Sequence, residues 1–256
     1  MDRKSSIFKI TTVSVFLLLN LISYQVSADF IGVYAGAGIW QQTPSGHINN
    51  QGTNADMEKN FLYGEENANF VYVAIEHPFP LIPNIRVNMY NLEMSKTTTL
   101  TAANAFTFAG TSYTAGTSIQ SKFEWQEEDA LLYYEFLDNI VSFDLGLGMK
   151  TVTAELSITS GGVTNTLEIE ESLPIAYAMA GVHIVGTGIS IIVEQTTSFG
   201  GSMEISQSSS KLVYETDYML GVELGYRTTT TNLDDMPIIT GEVEFSGPFA
   251  NLLFHF

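Results

Sequence analysis

Eight charged residues stand on strand-like stretches of this 256-residue chain rather than between them: Glu76, Arg86, Glu135, Asp144, Lys150, Glu194, Glu223 and Arg227. Period-two spacing turns such residues to one face of a sheet. Five acids and three bases enclosed together would pair with one another, because an isolated charge away from water is costly. Glu76 and Arg86, flanking a short turn, form the expected example. The same set allows another chemistry, a narrow path for small solutes in which surplus carboxylates favour cations.

Further acids stand in clusters: Asp56, Glu58, Glu65 and Glu66; Glu124, Glu127, Glu128 and Asp129; Glu168, Glu170 and Glu171; Asp234 and Asp235. Placed in outside loops and rims, paired carboxylates would hold Ca²⁺ or Mg²⁺ and bridge to anionic lipopolysaccharide. No loop has the twelve-residue calcium spacing, and a plain solvated acidic surface explains the same residues. Of His47, His77, His183 and His255, only His47, beside Ser45 and nine residues from Asp56, suits an outward-facing hydrolase. One loop serine near one loop histidine makes no catalytic set, so the reading is non-enzymatic. None of these sets calls for a cofactor.

Composition narrows the classes. With 28 Asp+Glu against 10 Lys+Arg the net charge is −18, which argues against nucleic-acid binding, since neutralising phosphates takes basic residues. Mean hydropathy is nevertheless positive, at +0.13, and the 16 Phe and 12 Tyr exclude an acidic disordered chain. The absence of cysteine removes disulfides, thiolate-bound zinc and thiol catalysis.

The elements that must position these residues begin after a leader. Arg3, Lys4 and Lys9 precede an apolar stretch from Ile10 to Ile22, too short to span a bilayer, and Val26-Ser27-Ala28 has the small-residue cleavage pattern. Residues 1–28 are therefore expected to be a cleaved secretory signal peptide, with residues 29–256 forming one domain. Cleavage takes away Asp2 but also three bases, so the exported chain is the more acidic form.

Beyond the leader, period-two alternation recurs between clusters of Gly, Ser, Thr and Asn. Val141, Phe143, Leu145, Leu147 and Met149 oppose Ser142, Asp144, Gly146, Gly148 and Lys150; Leu220, Val222, Leu224 and Tyr226 oppose Gly221, Glu223, Gly225 and Arg227. One face is uniformly apolar while the other is small or mixed. This fits a closed barrel in lipid, with its apolar band outward. The fold class expected is all-β, an antiparallel transmembrane up-and-down β-barrel. Its strands fall near 30–40, 69–77, 84–96, 120–136, 140–157, 166–182, 188–198, 205–214, 219–231 and 241–256. Ten strands is the main count and eight the alternative, because Thr196 to Tyr218 alternates weakly. Long loops are expected at 42–68, 97–118 and 232–240, and short turns at 79–84, 137–139 and 185–188. Trp40, Tyr134, Phe136, Tyr226 and Phe254 are read as interfacial girdle residues. Leader and barrel together point to the outer membrane of a Gram-negative cell.

The chain ends in Phe256, with Phe254, Leu252 and Ala250 at alternate positions before it. This amphipathic strand is similar to the signal that the outer-membrane assembly machinery reads. The opening strand from Gly32 to Gln41, the turn from Glu76 to Asn84, the hairpin from Leu132 to Gly146 and the end from Gly247 to Phe256 together resemble a group of small Gram-negative outer-membrane β-barrel proteins with no assigned activity. The resemblance implies fold, location and a setting of membrane lipid and lipopolysaccharide. It supplies no catalytic residues. The function expected is an integral envelope component with a largely plugged lumen; a narrow channel or transporter for small cations or a small hydrophobic ligand is the alternative, and an outer-membrane hydrolase the remote one.

Overall fold

The computed structural model describes residues 31–256 apart from Pro80, Asp217, Asp234 and Asp235. The expected signal peptide and the acids Asp234 and Asp235 lie outside the described residues. The strands are β1 (Gly32–Asn50), β2 (Ala55–Asp56), β3 (Glu66–Glu76), β4 (Asn84–Thr99), β5 (Phe106–Phe108), β6 (Thr111–Tyr113), β7 (Ser118–Asp138), β8 (Val141–Ser160), β9 (Val163–Ile184), β10 (Ile189–Ser198), β11 (Glu204–Glu215), β12 (Leu220–Asn232) and β13 (Ile239–His255). Ten of these form the wall in the order β1-β3-β4-β7-β8-β9-β10-β11-β12-β13, and β13 pairs back to β1. The short strands belong to two loops: β2 folds against β1, and β5 and β6 make a hairpin. Ten strands, not eight, is the observed count; the ladder closes around the end where β1 begins, while residues 92–99 of β4 and 163–173 of β9 continue beyond it paired on one side only.

The register shows how the wall tilts. Following outward residues around the barrel, Val33 pairs with Ile75, then Ile85, Leu132, Leu147, Ala176, Thr197, Ser206, Thr230, Glu244 and finally Ser45. One circuit thus returns to β1 twelve residues further on, from Val33 to Ser45. A shear of this size in ten strands corresponds to a tilt of roughly 40°. Along that climbing row the residues change from Val, Ile and Leu to Thr, Ser and Glu.

The change occurs at one level on most of the wall. Outward positions are apolar from the turns at one end up to Ile39, Val71, Met89, Ala130, Met149 and Tyr226, and become polar at Gln41, Asn69, Asn91, Glu128, Thr151 and Thr228. The interior changes in the opposite sense. Opposite the apolar belt it holds charges, small residues and a separate buried cluster of Leu131, Tyr133, Ile175 and Tyr177. Beyond the belt it holds a core that includes Phe61, Phe108, Ile119, Phe123, Trp125, Leu156, Ile158 and Phe245. Eight or nine residues tilted by roughly 40° give a belt of about 20–23 Å, close to the height of a lipid-facing barrel band. The remaining half has the polarity of a water-exposed β-protein and stands clear of the bilayer.

This corrects three expectations. β1 continues to Asn50 instead of giving way to a loop at residue 42, because its far half still pairs with β13 and packs Ile48 inward. The 97–118 stretch is partly strand, holding the β5–β6 hairpin whose Phe106, Phe108 and Tyr113 are buried. Trp40 is not a girdle residue: it is 2% exposed, shares the inward face with Gly36 and Gly38, and donates its indole N–H to the Gly247 carbonyl at 3.0 Å. Tyr134, Phe136, Tyr226 and Phe254 do face outward.

Candidate functional site

The polar interior at membrane level is where charged side chains converge. Glu194, from β10, is its hub. Arg86 Nη1 of β4 reaches Glu194 Oε1 across the lumen at 2.8 Å, and Lys211 Nζ of β11 stands 3.4 Å from Oε2. The same lysine contacts Glu223 Oε1 at 2.8 Å, and Asn251 Nδ2 donates to Glu223 Oε2 at 2.8 Å. Tyr177 and Ser209 donate to Glu194, and Tyr72 donates to Glu223. The Arg86 guanidinium also lies over the Tyr72 ring, 4.5 Å from its centroid. Each carboxylate thus has a cation and neutral donors, the arrangement that offsets desolvation.

A second group lies near the upper edge of the belt. Lys150 of β8, 1% exposed, pairs with Glu127 and, at 2.8 Å, with Asp129 Oδ1, both from neighbouring β7. Trp125 Nε1 donates to Glu127 Oε1 at 2.7 Å. Arg227 is placed differently: its guanidinium sits 4.1 Å from the Phe70 centroid, 5.2 Å from Phe249 and 5.4 Å from Trp40. Among the described residues no carboxylate forms an ion pair with it, so aromatic faces are its main partners.

At the end where β1 begins and β13 finishes, the interior is acidic. Glu76 accepts from Tyr133 Oη at 2.7 Å, Glu135 accepts from Asn84 Nδ2 at 3.1 Å, and Asp144 stands directly across from Glu135 in the β7–β8 pair. Asp144 is buried, with no hydrogen bond to its Oδ1 among the described residues. The Glu76–Arg86 pair does not form. Arg86 sits opposite Ala74, two residues before Glu76 on β3, and its long side chain extends to Glu194 instead.

All eight charges projected inward therefore lie on the inner face, though in three separate groups with Arg227 apart among aromatic rings. Missing from that projection were Lys211, on the weakly alternating β11, and Glu127 and Asp129, placed with the rim acids. Glu127 and Asp129 have the same strand parity as Glu135, so the alternation itself located them.

The other acids divide between outer wall and loops. Glu124, Glu128, Glu168 and Glu170 face outward above the belt, while Glu171 is turned partly inward and accepts from Ser202. Lys122 pairs with Glu93 at 3.1 Å on the outer wall, and with Glu124. Among the described residues no three acids or histidines are grouped to hold a metal ion. Asp56 does lie opposite His47 in the β1–β2 pair, but its carboxylate takes the amides of Glu58 and Lys59 and the Lys59 ammonium at 3.1 Å. Burial pushes this carboxyl up, and those bonds outweigh it and hold it below the usual range. Ser45 and His47 lie two residues apart on the outward face, with no hydrogen bond between them among the described residues. Sequence spacing also passed over His183 and Ser190, which face each other across β9 and β10 with Nδ1 and Oγ 2.8 Å apart.

Above the charges the aromatic and aliphatic core closes in, and a cavity there, lined by Ile48, Trp125, Leu156 and Thr231, has a volume of about 10 Å³. That is about the space of one water.

No family model matches the chain, and no curated protein matches it. Among solved structures it is similar to Ail, the attachment invasion locus protein of Yersinia pestis (10% identity, 88% of this chain and 100% of that one, TM-score 0.36). It is similar also to Neisserial surface protein A (10% identity, 90% and 99%, TM-score 0.34) and to the outer membrane protease OmpT of Escherichia coli (9% identity, 92% and 99%, TM-score 0.43). At such low identity these are likenesses of architecture, and the strand register stands without them. The chain is a closed, ten-stranded, antiparallel up-and-down β-barrel of the kind that spans Gram-negative outer membranes.

Proposed function

We propose that this protein is an integral outer-membrane component with a sealed lumen, whose projecting half presents an acidic interaction surface outside the cell. Residues 1–28 serve for export and are removed. The mature barrel then sits among membrane lipid and lipopolysaccharide, and surface divalent cations are natural counter-ions for its outer-wall acids. The observation that carries the reading is the packed apolar core above the membrane-level charges, with a cavity there of only about 10 Å³. A path for ions would have to cross that core, and a hydrophobic cargo would need a larger chamber. The reading is non-enzymatic.

Reconstitution in planar bilayers tests it. No steady conductance is expected, whereas reproducible single-channel steps would return the lumen to the channel reading.

The C-terminal strand is assigned to assembly. Ala250, Leu252, Phe254 and Phe256 all face outward, and Phe256 exchanges backbone hydrogen bonds with Val33 at 3.0 and 2.9 Å where the barrel closes. Deleting Phe256 is expected to leave export intact while reducing the heat-modifiable folded band on gels. An unchanged band would remove this strand end from the assembly role.

A further inference from the structure

The outer wall of the projecting half carries a row of acids in direct register. Glu93 of β4 stands opposite Glu124 of β7, Glu124 opposite Glu155 of β8, and Glu155 opposite Glu168 of β9. Neighbouring strands lie about 4.8 Å apart, and like charges placed directly opposite destabilise a sheet. At the β4 end the chain supplies its own cation: Lys122 Nζ stands 3.1 Å from Glu93 Oε1 and also pairs with Glu124. At the β9 end it does not. Among the described residues no base pairs with Glu155, Glu168 or the exposed Glu170.

That end of the row is an open sheet edge. β10 pairs with β9 only as far as Ile175, and one further backbone bond runs from the Phe199 N–H to the Pro174 carbonyl at 3.0 Å. Backbone groups alternate in direction along a strand, so those of Thr164, Thr166, Glu168 and Glu170 point the same way as Pro174, past the end of β10. Among the described residues they take no strand partner on that side. The strand is nevertheless held extended, because β8 pairs with it up to Val163 and its Leu167 and Ile169 are buried. A fixed edge with free donors and acceptors is a template for strand addition.

Charge selects the occupant. A residue of an added strand beside Glu168 or Glu170 meets a carboxylate that lacks a cation, and a lysine or arginine there does what Lys122 does at the other end of the row. β9 of a second copy would instead set acids against acids. We propose that the edge of β9 from Thr164 to Glu170 docks an extended segment of a partner protein with basic residues at alternate positions. The proposal rests on the acidic-surface reading and gives that surface its class of partner. The partner's bases displace the divalent counter-ions of the same acids, so the two compete.

The test uses the full mature barrel in phosphatidylcholine nanodiscs, whose lipid adds no net charge. The probe is a fluorescent peptide of about seven residues, the length of the 164–170 edge, alternating lysine with threonine. Binding is read by anisotropy against empty nanodiscs. The wild type is expected to bind, magnesium to weaken that binding, and a peptide with glutamate in place of lysine to show none. Hydrogen exchange is expected to slow at the amides of Thr164, Thr166, Glu168 and Glu170 when the lysine peptide binds. Thr166→Pro removes one edge donor while keeping every charge, at a position of the kind Pro174 already holds, and is expected to lower affinity about tenfold. Glu155→Gln with Glu168→Gln and Glu170→Gln is expected to lower it at least as much, with heat-modifiability confirming the fold of each variant. Thr97→Pro, on the unpaired edge of β4, is expected to change nothing. Peptide binding that Thr166→Pro leaves intact, without slowed exchange, would overturn the edge and leave the acidic surface standing; no binding at all would overturn both. Slowed exchange at the same amides in concentrated, peptide-free barrels would assign the edge to a second copy and overturn the proposal.

Discussion

Replacing Lys150 with alanine is expected to destabilise the folded barrel by about 3–5 kcal/mol, since removing one partner of a buried ion pair leaves uncompensated charge. Here two carboxylates, Glu127 and Asp129, depend on a lysine that is 1% exposed. Reversible urea unfolding in lipid vesicles would measure the loss. A triple change, Lys150→Met with Glu127→Gln and Asp129→Asn, removes the charges together and is expected to restore most of it. If Lys150→Ala alone were neutral, water would have to reach these acids, and the interior would be far more open than its packing indicates.

An effect of similar size is expected above the membrane, from a different cause. Phe245 of β13 is fully buried, with its ring 6.0 Å from Phe123 and 5.9 Å from Trp125. Phe245→Ala removes a large apolar side chain and leaves a cavity, at a cost of about 3–5 kcal/mol. The same unfolding measurement reads it. A change below about 1 kcal/mol, as for a surface substitution, would mean that the projecting half is loosely packed, and the sealed-lumen reading would lose its support.

Sequence alternation revealed the ten strands and the lipid-facing belt because a strand in a bilayer must keep one face apolar. It did not reveal the reversal above the belt, although the signal is present. On β8, Leu145, Leu147 and Met149 face out; from Val152 onward the apolar residues Val152, Ala154, Leu156 and Ile158 occupy the other parity. Reading the strand as one amphipathic unit ends at Met149. Reading it as two, with a change of phase near Lys150, locates the membrane surface. Ion-pair choice was less legible. Parity says that Arg86 and Glu194 face the lumen, but only closure of the barrel brings these side chains of β4 and β10 to 2.8 Å across it. Arg227 among its aromatic rings was hidden for the same reason, since Phe70, Phe249 and Trp40 come from three different strands.

The membrane level itself is measured most directly by single-cysteine labelling, which the cysteine-free chain permits without background. An environment-sensitive fluorophore would be placed in turn at Leu145, Leu147, Thr153 and Ser157 of β8 in reconstituted barrels. The first two are expected to be quenched by lipids carrying quenchers in their tails, and the last two by a quencher dissolved in water. Lipid quenching at Ser157, or aqueous quenching at Leu147, would contradict a wall that turns from lipid-facing to water-facing near Lys150.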